Sequence, residues 1–174
     1  MLIRVTDHCR MGCTHCLVNA SPRGAHMDWS TFRAAIQMSK RLGDPFLMIS
    51  GGEPTDHPDL IRLLEYGRDQ GCPSVLLSNG EWLTSPEFPN DQRERILNLC
   101  VGGVQVTNDP RYYPREVKQY PHPNVFHVRH IGQVMPFGRA ILNKIPVDRK
   151  SPLCFNLRSL SRAYQSLIRG IAYL

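Results

Sequence analysis

Apolar residues in this chain come in short bursts, and the spacing within the bursts alternates. Leu2, Ile3 and Val5 read as a short buried strand, Leu2–Thr6. Trp29, Phe32, Ile36 and Leu42 then recur near helical spacing, with Asp28 as N-cap and Gly43 as a C-terminal stop. Residues 46–50 predict a second buried strand, closed by Gly51-Gly52. A second helix follows over residues 58–70. Asp56 or His57 caps it, Pro58 suits its first turn, Leu60, Ile61 and Leu64 form its apolar face, and Gly71 ends it. Ser74–Ser78 reads as a third strand, stopped by Asn79-Gly80. Residues 91–100 predict a third helix with Ile96, Leu97 and Cys100 inward. Residues 101–107 predict a fourth strand, interrupted early by Gly102-Gly103. Beyond a poorly patterned basic segment, 110–123, residues 125–131 predict a fifth strand. Residues 132–152 are rich in Gly and Pro and read as loop, and 159–173 as an amphipathic helix. There is no internal repeat and no low-complexity tract.

Strands that alternate with helices imply parallel βαβ units. The expected fold is therefore α/β: parallel strands with outer helices, in about five βα units. In such folds the loops after the C-terminal strand ends carry the chemistry. The chemically interesting residues fall there. Cys9, Cys13 and Cys16 follow the first strand and Gly51-Gly52-Glu53-Pro54 the second. Ser78-Asn79-Gly80 follows the third, and Thr107-Asn108-Asp109 the fourth. All would converge on one rim.

Composition adds bounds. The chain has 174 residues, 41% of them apolar, which suits one domain with a real core. No run approaches the roughly 20 apolar residues of a membrane span. The N-terminus turns polar at once, so no signal peptide is expected and a cytoplasmic location is. There, cysteines bind metal or catalyse more often than they pair. Net charge is +6, distributed as +3 over residues 1–50, −5 over 51–100 and +8 over 101–174. The basic C-terminal part could attract a polyanion. With no nucleic-acid module visible, a solvated basic surface is the favoured reading and nucleic acid is not expected as a partner.

The cysteines stand in a C-x3-C-x2-C run, Cys9-Arg10-Met11-Gly12-Cys13-Thr14-His15-Cys16. A structural metal site closes its shell with four protein ligands. A cubane held by three thiolates leaves one iron open. On the cysteines alone, a zinc site completed by His8, His15 or Cys72 stays open as an alternative. Cys72 and Cys100 read as buried apolar fillers. His122, His127 and His130 read as scattered surface histidines rather than a second metal site.

The cysteine loop after strand one, joined to Gly51-Gly52-Glu53-Pro54 after strand two, resembles the radical S-adenosylmethionine (radical SAM) superfamily. The resemblance covers about the first 110 residues well. It implies a partial (β/α) barrel, with a [4Fe–4S] cluster on Cys9, Cys13 and Cys16 and SAM chelating the fourth iron. Reductive cleavage of SAM would give a 5′-deoxyadenosyl radical that abstracts hydrogen from a substrate. An electron donor such as flavodoxin or ferredoxin is implied as a partner. Gly51 and Gly52 would let backbone approach the methionine part of SAM. Glu53 would accept from its ammonium group, and Pro54 would stiffen the turn. Ser78 and Asn79 match a position near ribose and methionine, and Thr107 a ribose-binding hydroxyl. His15 stands where relatives usually place an aromatic ring beside the adenine.

The pattern also departs from the family. A full core has six βα units, and here about five can be counted. Pro136-Phe137-Gly138-Arg139-Ala140 resembles the Gly-Arg-Ala that follows the barrel in peptide-modifying relatives. There a cysteine-rich extension of the SPASM type comes next; here only Cys154 follows. We therefore expect a shortened core over residues 1–135 and a C-terminal tail over 136–174. The expected substrate is a peptide or protein. A small-molecule or activating enzyme, a degenerate iron–sulfur or zinc module, and an RNA-modifying radical enzyme stand as alternatives.

Overall fold

The structure is a computed structural model that describes residues 1–128 and 138–145. Five parallel strands form one open sheet in the order β1-β2-β3-β4-β5. They are β1 (Leu2–Thr6), β2 (Leu47–Gly51), β3 (Ser74–Ser78), β4 (Val104–Thr107) and β5 (Val125–Val128). Each new strand is added on the same side of the last. With right-handed crossovers, that order keeps the connecting helices on one face, which is the arrangement of a partial barrel. The helices are α1 (Trp29–Arg41), α2 (Leu60–Asp69), α3 (Glu81–Thr84), α4 (Asn90–Leu99) and α5 (Arg139–Leu142).

The first two strands read from the sequence as buried, and that is corrected to one-sided burial. Ile3 and Val5, Leu47 and Ile49, Leu76, and Val104 and Val106 point into one apolar core. Their neighbours Arg4, Met48, Val75 and Gln105 lie on the other, incompletely covered face. Side chains alternate across a strand, so a strand covered by helices on one face only must alternate too. Phe32 and Ile36 of α1, Leu60, Leu63 and Leu64 of α2, and Ile96 and Leu97 of α4 close the core. Cys72 and Cys100 are buried within it, as their apolar character suggests.

The element boundaries show local chemistry. Asp28 caps α1, its carboxylate accepting from the Thr31 amide at 2.9 Å. The second helix starts later than expected: Pro58 precedes α2, whose N-cap is Asp59. Between β2 and α2 lies an unexpected 3-10 turn, Pro54–Asp56, capped by Glu53. Strand β4 begins only after Gly102-Gly103, not at Val101. Gly103 has φ +97° and seats its Cα against the Phe126 ring, 2.5 Å from where a Cβ would stand. Short α5 falls inside the stretch read as loop over 132–152. Residues 132–137 and 146–152 of that loop, the 129–131 end of the fifth strand, the helix over 159–173, His130 and Cys154 lie outside the described residues. Among the described residues, no helix is long and apolar enough to cross a membrane.

Candidate functional site

The loop after β1 doubles back on its own stem. The Asp7 amide donates to the Ala25 carbonyl at 2.8 Å, Cys9 to Ser21 at 3.1 Å, and Ser21 back to Asp7 at 3.1 Å. Gly24 permits this closure, because a Cβ there would stand 2.0 Å from the Asp7 carbonyl oxygen. Within the loop, two amides point at sulfur. Met11 donates to Cys9 Sγ at 3.4 Å and Ala20 to Cys16 Sγ at 3.3 Å. Such donors favour a thiolate over a thiol. Burial works against them, raising the Cys9 thiol and pushing Cys13 up to about 12, with the neighbouring Cys9 and Cys16 adding to it. Burial thus favours the thiol at Cys9 and Cys13, and an adjacent cation would favour the thiolate.

The loop after β2 meets this one by backbone. The Gly52 amide donates to the Thr6 carbonyl at 2.7 Å and Glu53 to His8 at 2.8 Å. A Cβ on Gly52 would stand 2.2 Å from the His8 carbonyl oxygen and 3.0 Å from Cys9 Cβ. Gly51, at φ +150°, is as tight against the Thr6 carbonyl, at 2.3 Å. Gly51 is therefore required first by the end of β1, and Gly52 by contact with the cysteine loop.

Glu53 turns away from the cavity. It is 4% exposed, and both carboxylate oxygens are taken by the protein. Oε1 accepts from Ser78 Oγ at 2.9 Å and Thr55 Oγ1 at 2.8 Å, and Oε2 from the Asn79 amide at 2.8 Å. Burial pushes its carboxyl up to about 7, against the pull of these donors. Ser78 Oγ also accepts from the Gly80 amide and Trp82 Nε1, both at 2.9 Å. Asn79 Oδ1 accepts from the Glu81 amide at 2.8 Å. Glu53 thus fastens the loop after β3 to the loop after β2.

A cavity of about 200 Å³ opens where these loops meet. Cys9, Cys13, Cys16, His15, Gly51, Gly52, Ser78, Asn79 and Thr107 all line it, so most of the expected site residues come together. Glu53 and Pro54 stand behind the wall. His15 lies between Tyr112 and Tyr113, at ring distances of 4.9 and 5.2 Å. Its Nδ1 is buried without a hydrogen-bond partner among the described residues, and burial lowers its pKa. Tyr113 and Arg139 also line the cavity and were not anticipated from the sequence. The Gly138-Arg139-Ala140 run was the available signal for Arg139. His127 lies elsewhere, its Nε2 accepting from the Tyr120 amide at 3.2 Å.

The residues fit a cluster better than a single ion. Among the described residues, no three His, Cys, Asp or Glu side chains converge as one ion would require. A cubane sends three thiolates to three different irons and needs no such convergence. The cavity's glycine wall exposes backbone to a further ligand.

Comparison with known proteins bears directly on this site. The family model described as "Radical SAM superfamily" matches residues 3–126. Fe-coproporphyrin III synthase of Methanosarcina barkeri is 31% identical over 110 residues, which cover 60% of this chain and 27% of that protein. PqqA peptide cyclase of Gluconobacter oxydans is 29% identical over 109 residues, covering 62% of this chain and 30% of that protein. The chain thus spans less than a third of the length of these relatives. The crystal structure of Streptococcus suis SuiB bound to precursor peptide SuiA superposes with a TM-score of 0.51 and 16% identity, over 62% of this chain and 24% of that one. That likeness concerns the fold. With the sheet order, the cysteine loop and the glycine wall in place, and a family match over most of its length, the chain belongs to the radical SAM superfamily, whose cofactors are a [4Fe–4S] cluster and S-adenosylmethionine.

Proposed function

We propose that this chain is a radical SAM enzyme in which Cys9, Cys13 and Cys16 hold three irons of a [4Fe–4S] cluster as thiolates. The observation that carries the reading is that these cysteines line one cavity with the Gly51-Gly52 backbone and Thr107. The chemistry supplied by the bound cofactors is reductive cleavage of SAM, followed by hydrogen abstraction from a substrate. The chain's own residues bind and orient. The amides of Met11 and Ala20 hold two sulfurs by hydrogen bonds. Gly51 and Gly52 present backbone to the methionine part of SAM, and Ser78, Asn79 and Thr107 lie on the same wall for its polar groups. Glu53 fixes that wall through Ser78 and Asn79, and its carboxylate is the acceptor we assign to the SAM ammonium group. His15, packed beside two tyrosines, lines the cavity as the ring assigned to the adenine.

The favoured substrate is a peptide or protein, supported by the similarity to PqqA peptide cyclase. A small molecule is the second reading, supported by the similarity to Fe-coproporphyrin III synthase. A small reduced donor such as flavodoxin or ferredoxin would supply the electron. The cysteines Cys9, Cys13, Cys16, Cys72 and Cys100 are all free thiols, which agrees with a reducing, cytoplasmic setting.

Anaerobic reconstitution with iron and sulfide tests the proposal. About four irons per chain are expected, and reduction by dithionite with SAM should release 5′-deoxyadenosine. Uptake of one zinc and no iron would overturn the cluster. A loaded protein that releases no 5′-deoxyadenosine would overturn the enzyme. Steeply salt-dependent RNA binding would instead favour an RNA substrate.

A further inference from the structure

Residues 138–145 stand more than a hundred positions along the chain from the cysteine loop, yet they lie against it. Gly138 comes closest. A Cβ on it would stand 2.3 Å from the Leu17 carbonyl oxygen and 2.4 Å from that of Cys16, and its φ of +56° also favours glycine. The next residue's amide, Arg139, donates to the Cys16 carbonyl at 2.8 Å. The Arg139 guanidinium then spreads over the loop. Nη1 donates to the Cys13 carbonyl at 2.7 Å, Nε to Asn19 Oδ1 at 3.2 Å, and Nη2 to the Ala20 carbonyl. Asn143 Nδ2 donates to the Thr14 carbonyl at 2.8 Å.

Backbone carbonyls at Cys13, Thr14, Cys16 and Ala20 thus all accept from one six-residue segment. Within the loop itself, Cys13 and Cys16 find only the longer bonds from the Cys16 and Asn19 amides, at 3.3 and 3.4 Å, so the shorter donors to this irregular backbone come from the distant segment. A guanidinium can serve several divergent acceptors at once, which a lysine ammonium on a flexible stem does poorly. The segment is attached to the cysteine loop at both ends of the Cys13–Ala20 span. The side chain's fixed charge also faces the cavity where three thiolates would gather.

We propose that Arg139, seated by Gly138 and seconded by Asn143, is a positioning residue that clasps the cysteine loop in the shape that receives the metal cluster. The inference rests on the ligand assignment proposed above. Arg139 acts on the loop's backbone and takes no part in the chemistry.

The test begins with hydrogen–deuterium exchange on the full chain without cofactor. In Arg139→Ala, amides over residues 9–20 should exchange at least about tenfold faster, since several charge-assisted bonds are lost. Amides of α2 and α4 should keep their wild-type rates. Anaerobic loading supplies the second readout. The Arg139→Ala cluster should show a more negative midpoint potential and altered EPR g-values. Arg139→Lys should keep the potential close to wild type, because the charge remains, while its loop still exchanges fast. Unchanged exchange over 9–20 in Arg139→Ala overturns the clasp, as does full loop protection in Arg139→Lys. If Arg139→Ala unfolds throughout, Asn143→Ala is decisive: faster exchange confined to residues 9–20 supports the clasp, and wild-type exchange there overturns it. A wild-type chain that takes up no iron would sink the ligand assignment. A wild-type chain that loads, beside an Arg139→Ala chain that matches it in every readout, would sink only this inference.

Discussion

Two separate apolar clusters divide the buried side chains of this molecule. The larger lies between the sheet and the helices, where residues such as Val5, Phe32, Ile36, Leu47 and Leu97 bury one another. The smaller lies under the cysteine loop, where Cys9, Met11, Ala20 and Val117 pack with the partly buried Cys13, Cys16, Val18 and Tyr113. Burial serves them differently. A buried leucine side chain gains roughly 2 kcal/mol from exclusion of water and asks nothing more. A buried thiol is only held in its neutral form, as the raised Cys9 and Cys13 show. The first cluster is finished by folding. In the proposed reading the second is finished only by metal.

Substitutions can break or sharpen that contrast. The largest effect is expected at Cys13→Ala, which should abolish iron and sulfide uptake, whereas Cys72→Ala in the main core should leave it intact. Metal analysis after reconstitution decides, and equal loss in both would erase the distinction. Next comes Leu97→Ala, which removes a fully buried side chain and should cost about 3 kcal/mol in denaturant unfolding. Iron bound per folded molecule should not change. Gly52→Ala reaches across the boundary between the clusters. Its new methyl meets the His8 carbonyl and Cys9, so it should lower stability by about 2 kcal/mol and impair loading as well. Loading without impairment would show that the glycine wall serves only the fold. The smallest effect is expected at Arg95→Ala, which removes an exposed pair with Glu65 at 2.5 Å. Its cost should be below about 0.5 kcal/mol, with no effect on metal, by the same two measurements.

The strands and their site-bearing ends were legible because sequence marks them sharply. Apolar bursts stop at Gly51-Gly52 and at Asn79-Gly80, and the cysteine spacing stands alone in its loop. One-sided burial was not visible in bursts as dense as Leu2-Ile3, where both faces are apolar or aliphatic in part. The short α3, α5 and the 3-10 turn over Pro54–Asp56 are too brief to show any period. The late start of β4 follows Gly103, whose close packing against Phe126 of β5 is a long-range contact that local pattern does not carry. The resemblance points Glu53 at the SAM ammonium, but no sequence signal shows its bonds within the protein: beside nearby Thr55, it binds Ser78 and Asn79, a whole helix further along the chain. Arg139 was visible only as part of a short run, since periodicity carries no information about a side chain that reaches back to Cys13.

The carboxylate of Glu53 has a thermodynamic consequence. Because it ties the loops after β2 and β3 together through both oxygens, those loops share one free energy. Stability losses from changes at Glu53 and Ser78 should not sum: in a double-mutant cycle, the second change should find much of its cost already incurred by the first. Two segments twenty-five residues apart in sequence would behave as one cooperative unit.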